Sequence, residues 1–451
     1  MLLFILFSYT IPFDSPIMDN IEYLQIKGLI DMPSIKPYEI EWLVPQITEL
    51  LMNETKLNKL DRKIITSFSP FLIKDVDRSN LSHLKIEYQK EPSLYCGFVD
   101  GRLGGRLTEN ITYAQALRFR IGSVIDSIGP KPWRKVQAYL NEGLIKFDLE
   151  KTKFYLGRRN SLFNGNSEYS LLLSPDPQGY DGFLLVLPSQ YYEFCNIFAV
   201  LDPAQQRFIS IHRLGLNLQR FLKLGFSEAL LFGPPFEPLY LNFFLPYYLA
   251  QWGINRDDNI MWCFDGQLNI FNSIIYGEFL IDDYMYEPDS YPNKLAFQVG
   301  IKSLLAGKFL TKINYTFVDK WVYTHDKQEN IYERNGLPLG FFLGDDVDEL
   351  SFSVKFINRY GLNPSVVLNY IRKGEGSIFL PFEQEGGTWT PAFPSGVVEK
   401  KLDIKFCLDY SLPYNLYLKA NFGKRYWRNY DHISNNDIRD TLLNISIWLV
   451  M

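Results

Sequence analysis

No internal stretch of this sequence reaches the roughly 18 consecutive apolar residues that a membrane-spanning helix needs. A helical-bundle membrane protein is thereby excluded. No run of Lys or Arg builds a basic stripe and the formal charge is −5, so a nucleic-acid partner is not expected. Cysteine is scarce. Cys96, Cys195, Cys263 and Cys407 stand far apart and form no C-x-x-C pair, which indicates neither a zinc site nor a redox motif. All four fall in apolar, strand-like runs and read as small buried hydrophobes; their spacing assigns no disulfide. Histidine is limited to His83, His212, His325 and His432, and neither G-x-S-x-G nor H-E-x-x-H occurs, so neither an enzyme nor a cofactor is expected. A Ser-His-Asp group is defined by geometry rather than chain order. That leaves Ser227 or Ser174 with His212 as the pair a lipase or deacylase would use. Gly101-Arg102-Leu103-Gly104-Gly105-Arg106 lacks the Lys-Ser/Thr pair of a phosphate loop and is expected as a turn between strands.

What the chain has in excess is aromatic side chains: 35 Phe, 29 Tyr and 8 Trp, or 16% of its residues. These favour strands, and membrane barrels set Trp and Tyr in girdles at both interfaces. A soluble aromatic-rich β-protein shares that composition, so the choice rests on pattern. Residues 1–13 open with the apolar run Leu2 to Phe7, which has the length of a secretory signal core but no basic flank before it and no Ala-x-Ala site after it. We read 1–13 as a signal-peptide-like segment.

Residues 14–77 show helical periodicity. Ser15-Pro16 offers a start, Ile17, Ile21 and Leu24 recur at helical spacing, and Gly28 is a stop. A second pattern begins at Ser34 to Pro37, with Ile40, Leu43, Val44 and Ile47 on one face and Pro45 as a bend. A third runs from Lys56 to Lys74, with Leu57, Leu60, Ile64, Phe68 and Leu72 on one side. Three short amphipathic helices can share a core, so a small bundle is expected.

From residue 78 to 451 the period is two. Phe309, Ile313, Tyr315 and Phe317 alternate with Leu310, Lys312, Asn314 and Thr316; Leu402, Ile404, Phe406 and Leu408 alternate with Asp403 and Lys405. Leu117, Phe119 and Ile121 alternate with Arg118, Arg120 and Gly122, and Leu443, Ile445, Ile447 and Leu449 with Asn444 and Ser446. Segments of about ten residues broken by Gly, Pro, Asn and Asp are the pattern of an outer-membrane barrel, lipid outside and a polar lumen inside. Strands this long exceed the roughly 5–6 residues common in a compact sandwich. The fold expected is mainly β: a transmembrane antiparallel β-barrel preceded by the helical bundle. The region from Ser227 to Asn259 breaks the pattern: Phe232-Gly233-Pro234-Pro235 is a turn, Tyr240 to Trp252 is partly helical, and the whole is expected as a long surface loop that folds into or over the lumen.

Short polar groups punctuate the middle of the chain. Tyr155-Leu156-Gly157-Arg158-Arg159-Asn160 precedes Leu171-Leu172-Leu173-Ser174, then Ile211-His212-Arg213-Leu214, Gly225-Phe226-Ser227-Glu228, Asp257-Asp258-Asn259 and Gly277-Glu278-Phe279-Leu280-Ile281-Asp282-Asp283. Their order and spacing resemble the Wzi family of capsule assembly proteins, over nearly the whole chain and most densely from Tyr155 to Asp283. The resemblance implies a barrel of about eighteen strands in the bacterial outer membrane. It also implies a periplasmic side for the helical bundle and a non-enzymatic, lectin-like role in holding capsular or other extracellular polysaccharide, with outer-membrane lipid as the other partner and a monomeric barrel. On that basis Arg158, Arg159, Asn160, His212, Arg213, Glu228, Asp258, Asn259, Glu278, Asp282 and Asp283 are the polysaccharide-binding or lumen-network candidates.

The residues support part of this independently. Tyr276, Glu278 and Asp282 share a strand face opposite Ile275, Phe279 and Ile281, which turns both carboxylates inward. A charge facing lipid is costly, so inward acids seek inward arginines; Arg118, Arg120, Arg158 or Arg159, and Arg213 are the candidates. Such a network either braces and plugs the barrel or contacts sugar hydroxyls. The faces of His212, Arg213 and Glu228 stay open, because their strands are apolar on both sides. Asp345, Asp346, Asp348, Glu375, Glu383 and Glu385 read as solvated loop acids rather than a Ca²⁺ site. A porin or substrate channel would use the same strand pattern and is the alternative function.

Overall fold

The computed structural model describes residues 10–11, 13–53, 57–68, 83–91, 94–122, 134–161, 166–176, 178–189, 191–218, 220–284, 292–380, 392–413 and 415–450. The apolar run at 1–9, the end of the third helical pattern at 69–77, and Glu383 and Glu385 lie outside these residues.

Among the described residues, eighteen strands close into one antiparallel barrel, each bonded to the next barrel strand along the chain. The seam joins His83–Glu91 to Ile438–Val450, with His83 opposite Val450. The alternation read from the sequence sets the two faces. Phe119, Ile121, Ile313, Ile404, Ile445 and Ile447 are exposed on the outer wall. Their sequence neighbours Arg120, Asp403 and Ser446 are buried on the inner one. A closed barrel of this kind, with an apolar outer face, is an outer-membrane protein of bacteria. One rim carries short turns (residues 109–110, 150–151, 271–272, 306–308) and both barrel ends; the other carries the long connections 160–179, 233–258, 319–346 and 374–398.

At the short-turn rim lie α1 (Met18–Ile26), α2 (Ile40–Met52) and α3 (Lys59–Thr66). Gly28 ends the first helical turn with φ +67, a left-handed conformation that glycine adopts freely. The start is later than Ser15-Pro16 suggests: Ile17 is the N-cap, and Ser15 contributes only its carbonyl, which accepts from the Met18 N–H at 3.0 Å. Pro45 is carried inside α2. The Asn58–Asp61 capping box starts α3. Apolar helix residues such as Ile21, Leu24, Leu43, Ile47 and Ile64 pack with the barrel's Ile274, Tyr276, Leu304, Leu310 and Trp448. The helices therefore seat in the barrel mouth and share a core with its wall.

From the long-loop rim, residues 166–176 and 319–346 fold into the lumen. Leu171, Leu172 and Leu173 are at most 1% exposed and pack with Ile209, Ile211, Ala229, Leu231, Tyr323, Tyr332 and Phe341. Fully burying each such Leu is worth about 1.5–3 kcal/mol. The segment 233–258 behaves differently from expectation. Its 3₁₀ turn Pro238–Leu241 and helix α4 (Tyr247–Ile254) lie on the outer wall, against Leu230 and Phe232, and neither into nor over the lumen. This explains the strands that looked apolar on both faces. Arg207–Leu218 and Leu222–Phe232 meet the inner loops on one side and this hairpin on the other. Gly101 to Arg106 is no turn either; it lies within the strand Leu94–Thr108. The four cysteines are free and buried.

Candidate functional site

The inner wall holds its charges in pairs across neighbouring strands. Arg213 is 1% exposed; its Nη2 donates to Asp265 Oδ1 at 2.7 Å and its Nη1 to Glu193 Oε1 at 3.2 Å. Two glycines make room for that guanidinium. A Cβ on Gly225 would stand 2.2 Å from Arg213 Nη2 and from Asp265 Oδ2, and one on Gly215 would stand 2.7 Å from Arg213 Nη1. The glycine of the G-x-x-E group is thus a space for the arginine of the H-R group. Arg118 pairs with Asp100 at 2.7 Å in the same way.

Glu278 and Asp282 point inward as their face required, but their observed bonds go to the loops. Glu278 accepts from the Leu171 backbone N–H at 2.6 Å, and Asp282 from the Tyr323 N–H at 2.6 Å. Tyr323 in turn donates its hydroxyl to the Leu171 carbonyl at 2.6 Å. The two acids therefore tie both inward loops to one strand. Asn259 donates to the Asn330 carbonyl at 2.9 Å and adds a third tie. Arg207 and Arg334, which sequence reasoning passed over, hold the same loops from other strands and from the loop itself. Arg207 donates to the carbonyls of Glu329 at 2.8 Å and Ile331 at 2.7 Å, and Arg334 pairs with Asp176 at 3.1 Å. No spacing rule links residues so far apart.

The remaining candidates separate. Arg159 turns inward, with its guanidinium 4.3 Å from the Tyr155 ring centre and 3.9 Å from Glu39 Oε1. Arg158 turns the other way and pairs with Asp181, bonding at 2.8 Å. Asn160 and Asp176 close a loop by reciprocal bonds of 2.8 Å. Asp258 receives Tyr240 Oη at 2.8 Å and Arg256 Nε at 2.9 Å within the outer segment, and Asp283 pairs with Lys294 at 3.2 Å. His212 and Glu228 lie on the outer wall, with His212 Nε2 3.1 Å from Glu228 Oε2. Ser227 neighbours Arg213 on the inner face and Ser174 belongs to a lumen loop, so neither shares a site with His212. Among the described residues, no group of three or more His, Cys, Asp or Glu gathers as metal ligands would. Of the loop acids, Glu375 is exposed as expected, but Asp345, Asp346 and Asp348 are buried rather than solvated. Asp346 accepts from Gly376 N–H at 2.9 Å and Ser395 N–H at 3.0 Å.

The helices dock through acids of their own. Glu22 meets Lys302 at 2.6 Å and Lys312 at 2.5 Å; Asp31 meets Lys223 at 2.5 Å; Glu39, fully buried, meets Lys146 at 3.2 Å and Lys153 at 3.3 Å. Burial alone would raise the Glu22 carboxyl, yet Lys302, Lys312 and Lys36 outweigh it and hold it at about 2. Burial likewise opposes ionisation of Glu39, and Lys146, Lys153 and Arg159 keep it below 4.5. A lowered folded-state pKa gives stability that is complete above the unfolded value and is lost as pH falls through the folded one. Helix docking should hold above pH 4.5 and weaken as pH drops toward about 2. Limited acid proteolysis within α1 and α2 should report that window; cleavage equal at pH 7 and pH 3 would contradict it.

One half of the lumen stays polar. A cavity of about 350 Å³ is lined by Lys85, Glu87, Gln89, Asn444, Phe98 and Trp448, among others. Asn421 also lines it, and its buried Oδ1 has no hydrogen-bond partner among the described residues. Above it on the same inward faces stand Arg425, paired to Asp403 at 2.8 Å, and Trp427, with Lys401 Nζ 5.0 Å from its ring centre. Polar groups thus run from the long-loop rim into the cavity.

No protein-family model matches the sequence, and no curated protein matches it either. Among solved structures, the fold is similar to Wzi of Escherichia coli, described as an outer membrane protein involved in group 1 capsule assembly and a carbohydrate-binding β-barrel. That likeness covers 98% of this chain and 99% of the other, at 14% identity and a TM-score of 0.71. OccD3 (OpdP) of Pseudomonas aeruginosa is similar over 82% of this chain and 90% of that one, at 10% identity and a TM-score of 0.50. OccD1 (OprD) matches over 82% and 94% at 9% identity and a TM-score of 0.50. At these identities the likeness is one of fold, and it extends over nearly the full length of Wzi: the chain is an outer-membrane β-barrel related in fold to that protein.

Proposed function

We propose that this barrel binds extracellular polysaccharide at the cell surface, without catalysis, and that its lumen does not serve as a free passage. The observation that carries this reading is the filling of the lumen from both ends, by helices tied through Glu22, Asp31 and Glu39 and by loops tied through Glu278 and Asp282. Outer-membrane barrels keep their short turns on the periplasmic side, so the helices α1 to α3 are the periplasmic plug and the long-loop rim faces the cell exterior. The polar half of the lumen offers what a sugar needs. Trp427 supplies a ring face near Lys401 and Arg425, and Gln89, Asn444 and Ser446 supply polar groups along the cavity wall. The full-length likeness to a carbohydrate-binding barrel agrees with this reading.

A glycan panel on refolded protein tests it. Binding to at least one polysaccharide is expected, and Trp427→Ala should weaken it by about tenfold or more, as loss of an aromatic anchor does. No binding to neutral or acidic polysaccharides would overturn the proposal. The polar half-lumen also suits a channel for small solutes, and conductance separates the two.

A further inference from the structure

The outer wall carries a row of polar residues where lipid belongs. Asn196, His212, Glu228 and Trp262 stand opposite one another across four neighbouring strands, on the same face as the exposed Leu214, Phe226 and Phe264. Polar groups facing acyl chains are costly, and the hairpin 233–258 covers them. Glu228 accepts from the first amides of α4, Tyr247 N–H at 2.7 Å and Tyr248 N–H at 3.0 Å, and from Trp262 Nε1 at 3.1 Å. Tyr247 packs on His212 with ring centres 4.5 Å apart and planes tilted by 33°, and its hydroxyl is 2.6 Å from Ser210 Oγ. The cover is bonded to the wall and held at a fixed height.

The cover's own outer face is apolar. Phe244 is 70% exposed, Trp252 68%, Leu249 59% and Tyr248 38%. Many of its backbone groups find partners within the hairpin itself. Asn242 N–H reaches Leu239 O at 3.0 Å, Leu245 N–H reaches Asn242 O at 3.1 Å, Glu237 caps Leu239 at 3.0 Å, and Arg256 binds the carbonyls of Pro235 at 2.8 Å and Gly233 at 3.1 Å. Backbone exposed to hydrocarbon must be satisfied internally. Height agrees. With about 3.3 Å rise per residue and about 40° of tilt, each strand residue climbs about 2.5 Å. Counting from Leu222 at the short-turn end, Glu228 stands about 15 Å up and Phe232 about 25 Å, the upper part of an apolar band about 25 Å tall.

We infer that the hairpin 233–258 is embedded in the outer leaflet of the membrane, with Phe244, Leu249 and Trp252 against acyl chains. The argument for this occupant is continuity: the aromatic face extends the lipid-facing belt of the same strands. It depends on the barrel spanning the outer membrane and not on what the lumen binds.

The test uses the full chain refolded in vesicles containing brominated phosphatidylcholine. The Trp252 signal is the difference between the parent and Trp252→Phe. We expect it to be blue-shifted and quenched by about twofold or more by bromines in the acyl chains, with little quenching by aqueous iodide. A second probe, a nitroxide on Leu249→Cys, should be relaxed more by oxygen than by a water-soluble nickel chelate. Iodide quenching with nickel-dominated relaxation would show a hairpin in water and overturn the inference. Shielding of both probes from lipid and water alike, with spin coupling between labels, would show a second copy on this face and overturn it equally.

Discussion

Arg213→Met should destabilise the barrel by about 3–5 kcal/mol, the usual loss when one member of a buried ion pair is removed. Arg213 is 1% exposed and lies between Asp265 and Glu193, whose side chains are 9% and 10% exposed. Met retains most of the volume, so the loss comes from stranding two carboxylates that have lost their shared cation. Charge removal on the other side should repair it: Arg213→Met with Glu193→Gln and Asp265→Asn should recover most of the loss, since a neutral wall strands nothing. Urea unfolding from vesicles measures both. A loss near 1 kcal/mol or less would mean that water screens the triad and that the wall here is not packed.

The double variant Glu278→Ala, Asp282→Ala should open the long-loop end. Each carboxylate accepts a backbone N–H of an inward loop at 2.6 Å. Hydrogen bonds to charged groups are worth roughly 1.5–3 kcal/mol each, so the pair contributes about 3–6 kcal/mol to keeping both loops docked. Since about 1.4 kcal/mol is a tenfold change in an equilibrium, open-state conductance events should rise in frequency by about a hundredfold or more. The barrel itself, held by its strand ladder, should still fold and resist heat on gels. If the double variant stays as silent as the parent, the apolar packing of Leu171 to Leu173 closes the lumen without these acids.

Much of the barrel was legible because its physics is local. Phe119 and Ile121 against Arg118 and Arg120, or Ile445 and Ile447 against Asn444 and Ser446, record a two-residue period with lipid on one side, and the structure keeps each face as read. Glu278 and Asp282 were placed inward by the same rule. Their partners were not legible. The period says that a buried acid needs a donor, but the donors are amides of Leu171 and Tyr323, which any sequence possesses. The faces of Arg213 and His212 were undecided because Arg207–Leu218 is covered on both sides, by the lumen loops and by the outer hairpin. The helical front was read from its period, and Gly28 from its conformational freedom. Its docking was hidden, since Glu22 and Lys302 lie 280 residues apart and each looks like an ordinary surface charge.

Conductance of the unmodified protein in a planar bilayer near neutral pH bears most directly on the closed lumen. We expect an inserted, heat-modifiable barrel that passes no steady current, while the same preparation retains polysaccharide on a glycan panel. A steady, ohmic current of porin size from the parent chain would contradict the account and make the polar half-lumen a path for solutes.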